Sequence, residues 1–172
     1  MNRLQQALVW LGRIRHCRGF GIQSPTDYRF VRYVINERWP YHAYDELPQD
    51  DDRLTRKLGR LYLRVANYRQ PTEIFDKVGV TPYLQAGCRK AHVVENPATI
   101  QLAVLPIKCE FNTVFEHCDG QSIVIFQDIY KNKPLWHTIE YDRRVRVTFD
   151  LYYCGIVIFD PKRSRQNYVV NF

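Results

Sequence analysis

Gly79 and Glu95 are the two residues of this chain whose types and spacing could do chemistry together. Gly79 stands between a predicted buried strand and a predicted helix, and Glu95 stands at the tip of the next predicted strand. A glycine there lets the backbone approach a ligand, and an acid at that tip can accept hydrogen bonds from ribose hydroxyls. The pattern predicts the first half of a nucleotide-type βαβ unit. Its loop is unusual, because Phe75, Asp76 and Lys77 stand where glycine and small residues are expected.

Asp128 is a second candidate for chemistry. It follows the continuous apolar run 122–126, which is typical of a strand buried on both faces. Ligands of open α/β sheets bind at the carboxyl ends of the strands, so Asp128 could be a substrate-side acid or a metal ligand. It could equally be a loop acid beside Lys131 and Lys133. The five histidines and five cysteines have no metal-ligand spacing, so no metal site is expected from them.

Residues 1–70 are predicted to form an amino-terminal helical extension. Apolar residues recur at helical spacing in three segments, approximately 3–15, 25–37 and 53–65. The third helix is predicted to carry a basic solvent face, formed by Arg53, Arg56, Lys57, Arg60 and Arg64. That face could be a solvated helix surface or a nucleic-acid footprint. Aromatic residues do not interleave with the charges, which favours the solvated surface.

Residues 71–172 are predicted to form a shortened α/β domain that makes one compact unit with the extension. Past the βαβ pattern, residues 96–105 indicate a helix and residues 109–115 a third strand. Residues 145–149 and 156–159 indicate an antiparallel hairpin near the carboxyl terminus. The expected fold is therefore α/β, with a mostly parallel sheet, an antiparallel carboxyl-terminal hairpin and the amino-terminal helices packed outside.

Composition narrows the class of protein without choosing a function. The 172 residues are 45% hydrophobic, which is too many for a disordered chain. A formal net charge of +7 permits an anionic partner but does not select one. The cysteines are scattered along the chain and odd in number, which is typical of reduced cytosolic thiols. The short apolar run 7–11 is too brief for a signal peptide or a membrane span, so a cytoplasmic protein without a membrane partner is expected.

Motifs near both ends of the chain resemble those of a known family. Residues 18–25 read RGFGIQSP and residues 39–44 read WPYHAY. They resemble the amino-terminal signature of a bacterial group of class I S-adenosylmethionine-dependent methyltransferase-like proteins, in which the loop usually reads GFGIHSPF. Segments 125–130, 145–151 and 166–170 are similar to that group's carboxyl-terminal part. The resemblance covers most of the chain.

The resemblance implies a site for S-adenosylmethionine. In such proteins the first strand and its loop read approximately EIGTSLGIST, and the loop backbone cradles the methionine end of the cofactor. The matching cofactor-binding positions here are Glu73, Phe75, Gly79 and Glu95, so the first loop glycine is replaced by Phe75. Glu95 matches the acid that binds the ribose. Asp128 matches the catalytic acid near the substrate.

The resemblance also implies a shortened, Rossmann-like methyltransferase sheet. The family has a fourth parallel strand that stands beside the first at the sheet centre, and the stretch between Phe115 and Ile123 is too short to hold it. We therefore expect that strand to be missing. A buried apolar strand left at an edge would favour a homodimer.

Three functions are expected from these observations. The first is a methyltransferase-fold protein with weakened or lost binding of S-adenosylmethionine, which acts as a binding or interaction module. The second is an active methyltransferase on an unidentified small molecule with a remodelled pocket. The third is a basic nucleic-acid-binding protein, which is the least favoured. Whether the chain is an enzyme is left open.

Overall fold

The computed structural model describes residues 3–172 and shows an α/β fold built on one seven-stranded mixed sheet. The strands are β1 (Glu73–Asp76), β2 (His92–Val93), β3 (Ile100–Pro106), β4 (Cys118–Gln127), β5 (Val147–Asp150), β6 (Cys154–Ile158) and β7 (Gln166–Val169). The helices are α1 (Arg3–Gly12), α2 (Pro25–Phe30), α3 (Arg53–Arg69), α4 (Thr81–Gly87), α5 (Phe111–Glu116) and α6 (Lys133–Glu140).

The sheet is parallel in one half and largely antiparallel in the other. Its strand order is β2-β1-β3-β4-β6-β5-β7. The first four of these strands are parallel to one another. Strand β6 pairs antiparallel with both β4 and β5, and β7 then adds in parallel to β5. The expected mostly parallel sheet with an antiparallel carboxyl-terminal hairpin is confirmed.

Two sequence-based assignments in the middle of the chain are wrong. Residues 96–105, expected to be helical, contain strand β3, and residues 109–115, expected to be a strand, contain most of helix α5. The apolar run Ile100–Leu105 is too short for its periodicity to separate a buried strand from a buried helix. Burial decides it, because Leu102, Ala103 and Val104 are completely buried between β1 and β4.

This correction changes which part of the sheet is shortened. Strand β3 pairs with β1 on one side and with β4 on the other, so the place beside β1 at the sheet centre is filled. The expected loss of a strand from that place is wrong. The sheet is narrow instead at the other side of β1, where β2 has only two paired residues and no further strand joins it among residues 3–172.

Helices cover the two faces of the sheet and form two separate cores. Helices α2, α3 and α4 pack on one face, where Phe30, Leu61 and Ile74 are fully buried. Helices α5 and α6 pack on the other face around Phe126 and Trp136. Buried apolar residues on both faces explain why strands such as β4 read as continuous apolar runs.

The second and third helices form as their sequences predict. Ser24 caps α2 by accepting a hydrogen bond from the Asp27 N–H, and the helix continues as a π-helical turn over Val31–Ile35. Asp52 caps α3 by accepting from the N–H groups of Leu54 (2.7 Å) and Thr55 (3.1 Å), which lowers the pKa of its carboxyl group. Both helices are therefore positioned by side-chain caps at their amino ends.

The first helix is shorter than expected and buries none of its residues. It ends at Gly12, and an irregular turn over Ile14–Gly19 follows. Its apolar residues stay exposed, with Leu4 at 69% and Leu8 at 59% of full exposure. Amphipathic spacing therefore predicts the helix correctly, but it does not predict that the apolar stripe is buried.

The two edge strands do not supply the reason for a homodimer that the sequence suggested. Strand β2 is two exposed residues long, and three of the four residues of β7 are exposed. Neither edge presents a buried apolar strand to a partner. Among residues 3–172, no helix combines the length and the apolar character that crossing a bilayer requires.

Candidate functional site

The carboxyl ends of β1, β3 and β4 bring three of the predicted site residues, Phe75, Gly79 and Asp128, to one edge of the sheet. The strands end at Asp76, Pro106 and Gln127, and their register places these ends side by side. The loop after β1 turns at Gly79, whose φ is +83°, a conformation that glycine adopts without steric cost. The loop after β1 therefore lies at the carboxyl edge of the parallel strands, and Gly79 has the conformation that a tight turn requires.

The loop after β1 is closed by a carboxylate of the protein itself. One oxygen of Asp76 accepts hydrogen bonds from the backbone N–H groups of Val78 (2.9 Å) and Gly79 (3.0 Å). The other oxygen accepts from the Thr81 hydroxyl at 2.8 Å. Successive backbone N–H groups in such a turn form an anion-binding concavity. Here the anion is the side chain of Asp76.

Phe75 is directed toward the second core rather than left in the loop. It is half-buried and packs against the core formed with α5 and α6. The Lys77 ammonium lies 5.0 Å from the centre of its ring, which is a cation–π contact. The core therefore accommodates the Phe75 ring. The Asp76 carboxylate is the group that occupies the N–H donors of the loop.

Glu73 and Glu95 do not join this edge as an acid pair. Glu73 is the first residue of β1, which places it about 10 Å along the strand from Asp76 at the usual strand rise. Glu95 is fully solvated in a bend beyond β2, and the helix expected to start at Asn96 is absent. Glu95 therefore follows the second strand of the sheet, while Glu73 lies at the opposite end of β1 from Asp76.

Asp128 lies at the carboxyl end of β4 in a left-handed conformation with φ +63°. Its backbone N–H donates to the Tyr153 carbonyl, and its carboxylate pairs with the Lys131 ammonium at 2.7 Å. This pairing raises the pKa of Lys131. The structure therefore contains both features of the sequence interpretation, the strand-end position and the neighbouring lysine.

Two buried side-chain oxygen atoms have no hydrogen-bond partner among residues 3–172. They are the Tyr62 hydroxyl on α3 and the side-chain carbonyl oxygen of Gln127. Burial raises the pKa of Tyr62 well above its ordinary value, and the nearby Cys154, Asp128 and Asp76 raise it further. The Tyr62 hydroxyl is therefore buried and is affected by the charges of both acids.

A cavity of about 800 Å³ lies elsewhere on the molecule, lined by the basic side of α3. We call it the basic pocket. Five of its cations come from α3, namely Arg53, Arg56, Lys57, Arg60 and Arg64. Three more come from other segments, namely Arg3, Arg18 and Arg38. Glu37 is the single acid among the described lining residues. Sequence reasoning treated this side of α3 as a solvated surface and missed the cavity.

Arg64 is buried, which corrects its assignment to the solvent face. Only 6% of it is exposed. Its guanidinium donates to the carbonyls of Val34 (2.6 Å) and Ile35 (2.9 Å) and to the Tyr44 hydroxyl (2.9 Å). These carbonyls lie in the π-helical turn after α2, where the helix leaves acceptors free. Arg64 therefore ties α3 to α2 and forms the floor of the basic pocket.

Lys57 sits at the mouth of the pocket and is electrostatically crowded. Its side chain keeps contact with solvent, and its ammonium lies 4.3 Å from the centre of the Phe172 ring. Crowding by protein atoms, followed by the charges of Arg53, Arg64 and Arg38, lowers the pKa of Lys57 to about 8. A lysine surrounded by like charges is a group that gains from a bound anion.

The amino-terminal segment closes one side of the basic pocket. The Asn171 backbone N–H donates to the His16 carbonyl at 2.9 Å, and its side-chain amide donates to the Trp10 carbonyl at 3.1 Å. Arg13 pairs with Asp150 at 2.7 Å at the carboxyl end of β5. These contacts hold the irregular turn after α1 against the carboxyl-terminal residues.

One signal in the sequence could have revealed the pocket. Arg53, Lys57, Arg60 and Arg64 recur at helical spacing on a single stripe next to the apolar stripe of α3. A basic stripe that adjoins a buried stripe stands at the rim of a helix interface, where a neighbouring segment can enclose it. The sequence does not show that residues 36–44 and 171–172 return to that rim.

Comparison with known proteins gives no relative for this chain: no family model, curated protein or solved structure matches it.

Proposed function

We propose that this chain is a binding protein built on a methyltransferase-like α/β sheet that has lost the use of S-adenosylmethionine. The observation that carries the proposal is the Asp76 carboxylate, which accepts the N–H groups of Val78 and Gly79. A free methionine carboxylate of the cofactor needs such donors, and it carries the same charge as Asp76. Binding would require both the loss of these bonds and the approach of two negative charges.

The architecture supports the methyltransferase-like part of the proposal. Strand β1 lies between β2 and β3, a glycine turn with positive φ follows it, and an acid follows β2. Nucleotides bind to open α/β sheets at this edge, at the point where the strand order reverses. On this proposal the sheet is a Rossmann-like arrangement with its centre filled by β3, and its cofactor loop is the altered part.

Calorimetric titration with S-adenosylmethionine and S-adenosylhomocysteine tests the proposal. We expect no saturable heat up to about 1 mM of either compound, a concentration that corresponds to roughly 4 kcal/mol of binding free energy. Saturable one-site binding in the micromolar range would contradict it. The double variant Phe75→Gly, Asp76→Thr restores the residues of the resembled motif, and a gain of affinity there would assign the loss to this loop.

An active methyltransferase on a small molecule is the second candidate. The unpaired Tyr62 hydroxyl and Gln127 oxygen favour it, because buried polar atoms without partners are suited to a polar ligand. On this candidate Asp128, at the carboxyl end of β4 next to Gln127, is the substrate-side acid. On this account Phe75→Gly tightens cofactor binding and Glu95→Ala weakens it. If neither variant changes the titration, this candidate fails.

A further inference from the structure

The basic pocket concentrates positive charge without internal compensation. Eight Arg and Lys side chains line it, five of them from α3, against one glutamate. That glutamate, Glu37, accepts hydrogen bonds from the N–H groups of Arg38 and Trp39. Among residues 3–172, the ion pairs join other cations, and no carboxylate lies within pairing distance of Arg53, Lys57 or Arg60.

Two buried donors in the pocket also lack acceptors. The Nε of Arg56 and the side-chain amide nitrogen of Asn36 are inaccessible to solvent and make no hydrogen bond within the described part of the chain. The rest of the Arg56 guanidinium donates to the carbonyls of Gln49 and Asp51, which fixes its orientation. A buried donor left unpaired costs about 1–3 kcal/mol.

Aromatic rings stand beside the charges on the walls of the pocket. The Arg60 guanidinium lies 4.8 Å from the centre of the Tyr44 ring, and Lys57 faces the Phe172 ring. Trp10 also lines the cavity and is 43% exposed. A flat ring of a ligand could stack on such a wall while its charged part faces the cations.

We propose that the basic pocket binds a small polyphosphate, with nucleoside triphosphates as the ligand class. The phosphates would lie between Arg53, Lys57 and Arg60, and the base would stack on Trp10 or Tyr44. A cavity of about 800 Å³ has room for a ligand of this size. The site shares no residue with the loop at Gly79, so the inference goes beyond the function proposed above.

The shape of the site favours a small ligand over a nucleic acid. The cations converge from α3, the segment after α2 and the amino-terminal segment on one concave space. A nucleic-acid footprint instead spreads its basic residues along a groove that tracks the backbone. Arg64 forms the floor, and its own hydrogen bonds hold it in place.

The lowered pKa of Lys57 agrees with this geometry. Besides burial, the charges of Arg53 and Arg64 on the same helix and of Arg38 after α2 lower the pKa of Lys57. Cys154 on β6 raises it. A bound polyphosphate would relieve the repulsion among the cations. Binding of a ligand in the pocket should therefore raise the free energy of unfolding of the protein.

The test is a titration of the purified chain with ATP and with inorganic tripolyphosphate, both without divalent cations. We expect saturable one-to-one binding of ATP, competition by tripolyphosphate and no binding of adenosine. The variant Lys57→Glu, Arg60→Glu should weaken ATP binding by at least about tenfold, because it removes two phosphate contacts and adds repulsion. Both side chains are exposed, and far-UV circular dichroism verifies that the variant is folded.

The matched control is Lys90→Glu, Lys133→Glu. It changes the net charge by the same amount at two exposed lysines outside the pocket, and it should bind ATP like the parent chain. Equal weakening in both double variants would overturn the proposal, because binding would then follow net charge alone. Failure of ATP to saturate at about 1 mM would overturn it as well.

A single-stranded oligonucleotide in the same assay separates the two phosphate sources. We expect it to bind more weakly than ATP. Tighter binding of the oligonucleotide, with an affinity that falls steeply as salt rises, would contradict the proposal and show that the pocket belongs to a nucleic-acid site. Titration with S-adenosylmethionine is read independently, since the two sites use different residues.

Discussion

Two places on this molecule gather donors that could hold an anion, and they differ in what already fills them. At the loop after β1, Asp76 takes the N–H groups of Val78 and Gly79. In the basic pocket, Arg53, Lys57 and Arg60 have no carboxylate partner among the described residues. The Val78 and Gly79 N–H groups of the loop are already paired within the protein, whereas the three cations of the pocket have no such carboxylate among residues 3–172.

We propose from this difference that hydrogen-bond satisfaction, and not resemblance of residue types, decides which of the two places can bind an anion. A single carboxylate can occupy the N–H groups two and three residues after it in a glycine turn, so that these donors are not available to a ligand. Conversely, a basic helix face becomes a site only when other segments enclose it. Four predictions, in order of decreasing effect, test these two halves of the comparison.

The largest effect is expected from Arg64→Met, which removes the floor of the basic pocket. The substitution leaves the buried carbonyls of Val34 and Ile35 without donors, so the free energy of unfolding should fall by about 3 kcal/mol. Arg60→Met is the matched control at the exposed rim and should cost less than about 1 kcal/mol. Urea denaturation measures both. Similar losses in the two variants would show that Arg64 is not structural.

Asp76→Ala should come second, because it opens the loop after β1. The substitution removes the acceptor of two backbone N–H groups and of the Thr81 hydroxyl, and it should lower the free energy of unfolding by about 1.5 kcal/mol. Asp76→Asn keeps an oxygen that can accept both N–H groups, so it should recover most of the loss. If Asn is no better than Ala in denaturation experiments, the loop is not held by these bonds.

The third effect is a pH dependence of ligand binding at the basic pocket. The pKa of Lys57 is lowered from 10.5 to about 8, so its charge is lost as pH rises through that value. ATP affinity should therefore fall several-fold between about pH 7 and pH 9. Lys57→Arg should remove most of this dependence, since an arginine stays charged there. An unchanged pH profile in the variant would contradict the role of Lys57.

The same group acts on protein stability with the opposite sign. Because the folded pKa lies below the unfolded one, the unfolded chain binds more protons between about pH 8 and 10.5. Lys57 therefore contributes increasing stability as pH rises through that window, while ligand affinity decreases. Measuring both quantities on one sample separates a local charge effect from general unfolding.

Glu95→Ala should have the smallest effect. Glu95 is solvated and lies in a bend outside the strands, so the free energy of unfolding should change by less than about 0.5 kcal/mol. Binding of ATP should not change either. A loss above about 1 kcal/mol in urea denaturation would show that this acid has a partner in solution.

The sequence predicted the parts of the fold that depend on local pattern. Helices α2 and α3, strand β1 and the carboxyl-terminal hairpin follow from caps, apolar periodicity and alternation. Strand β3 and helix α5 were exchanged, because their short apolar segments fit either structure until burial between β1 and β4 decides. The sequence therefore led to the wrong expectation that the strand beside β1 at the sheet centre is missing.

The candidate sites depended on contacts that local patterns do not contain. The position of Gly79 at a strand end was predictable, but the direction of the Asp76 carboxylate was not, since a surface acid and a loop cap have the same sequence. The enclosure of α3 by residues near both ends of the chain depends on pairings such as Asn171 with Trp10. Helical periodicity reports only on neighbouring residues, so it cannot predict contacts between residues so far apart in the sequence.

The most direct measurement of the difference between the two sites is an amide NMR titration of one labelled sample with S-adenosylmethionine and then with ATP. The Val78 and Gly79 amides report on the closed loop, and the amides of Arg53–Arg64 report on the basic pocket. We expect ATP to shift the α3 amides saturably and S-adenosylmethionine to leave Val78 and Gly79 unmoved. Saturable shifts of these two loop amides by S-adenosylmethionine, with α3 silent toward ATP, would contradict the account.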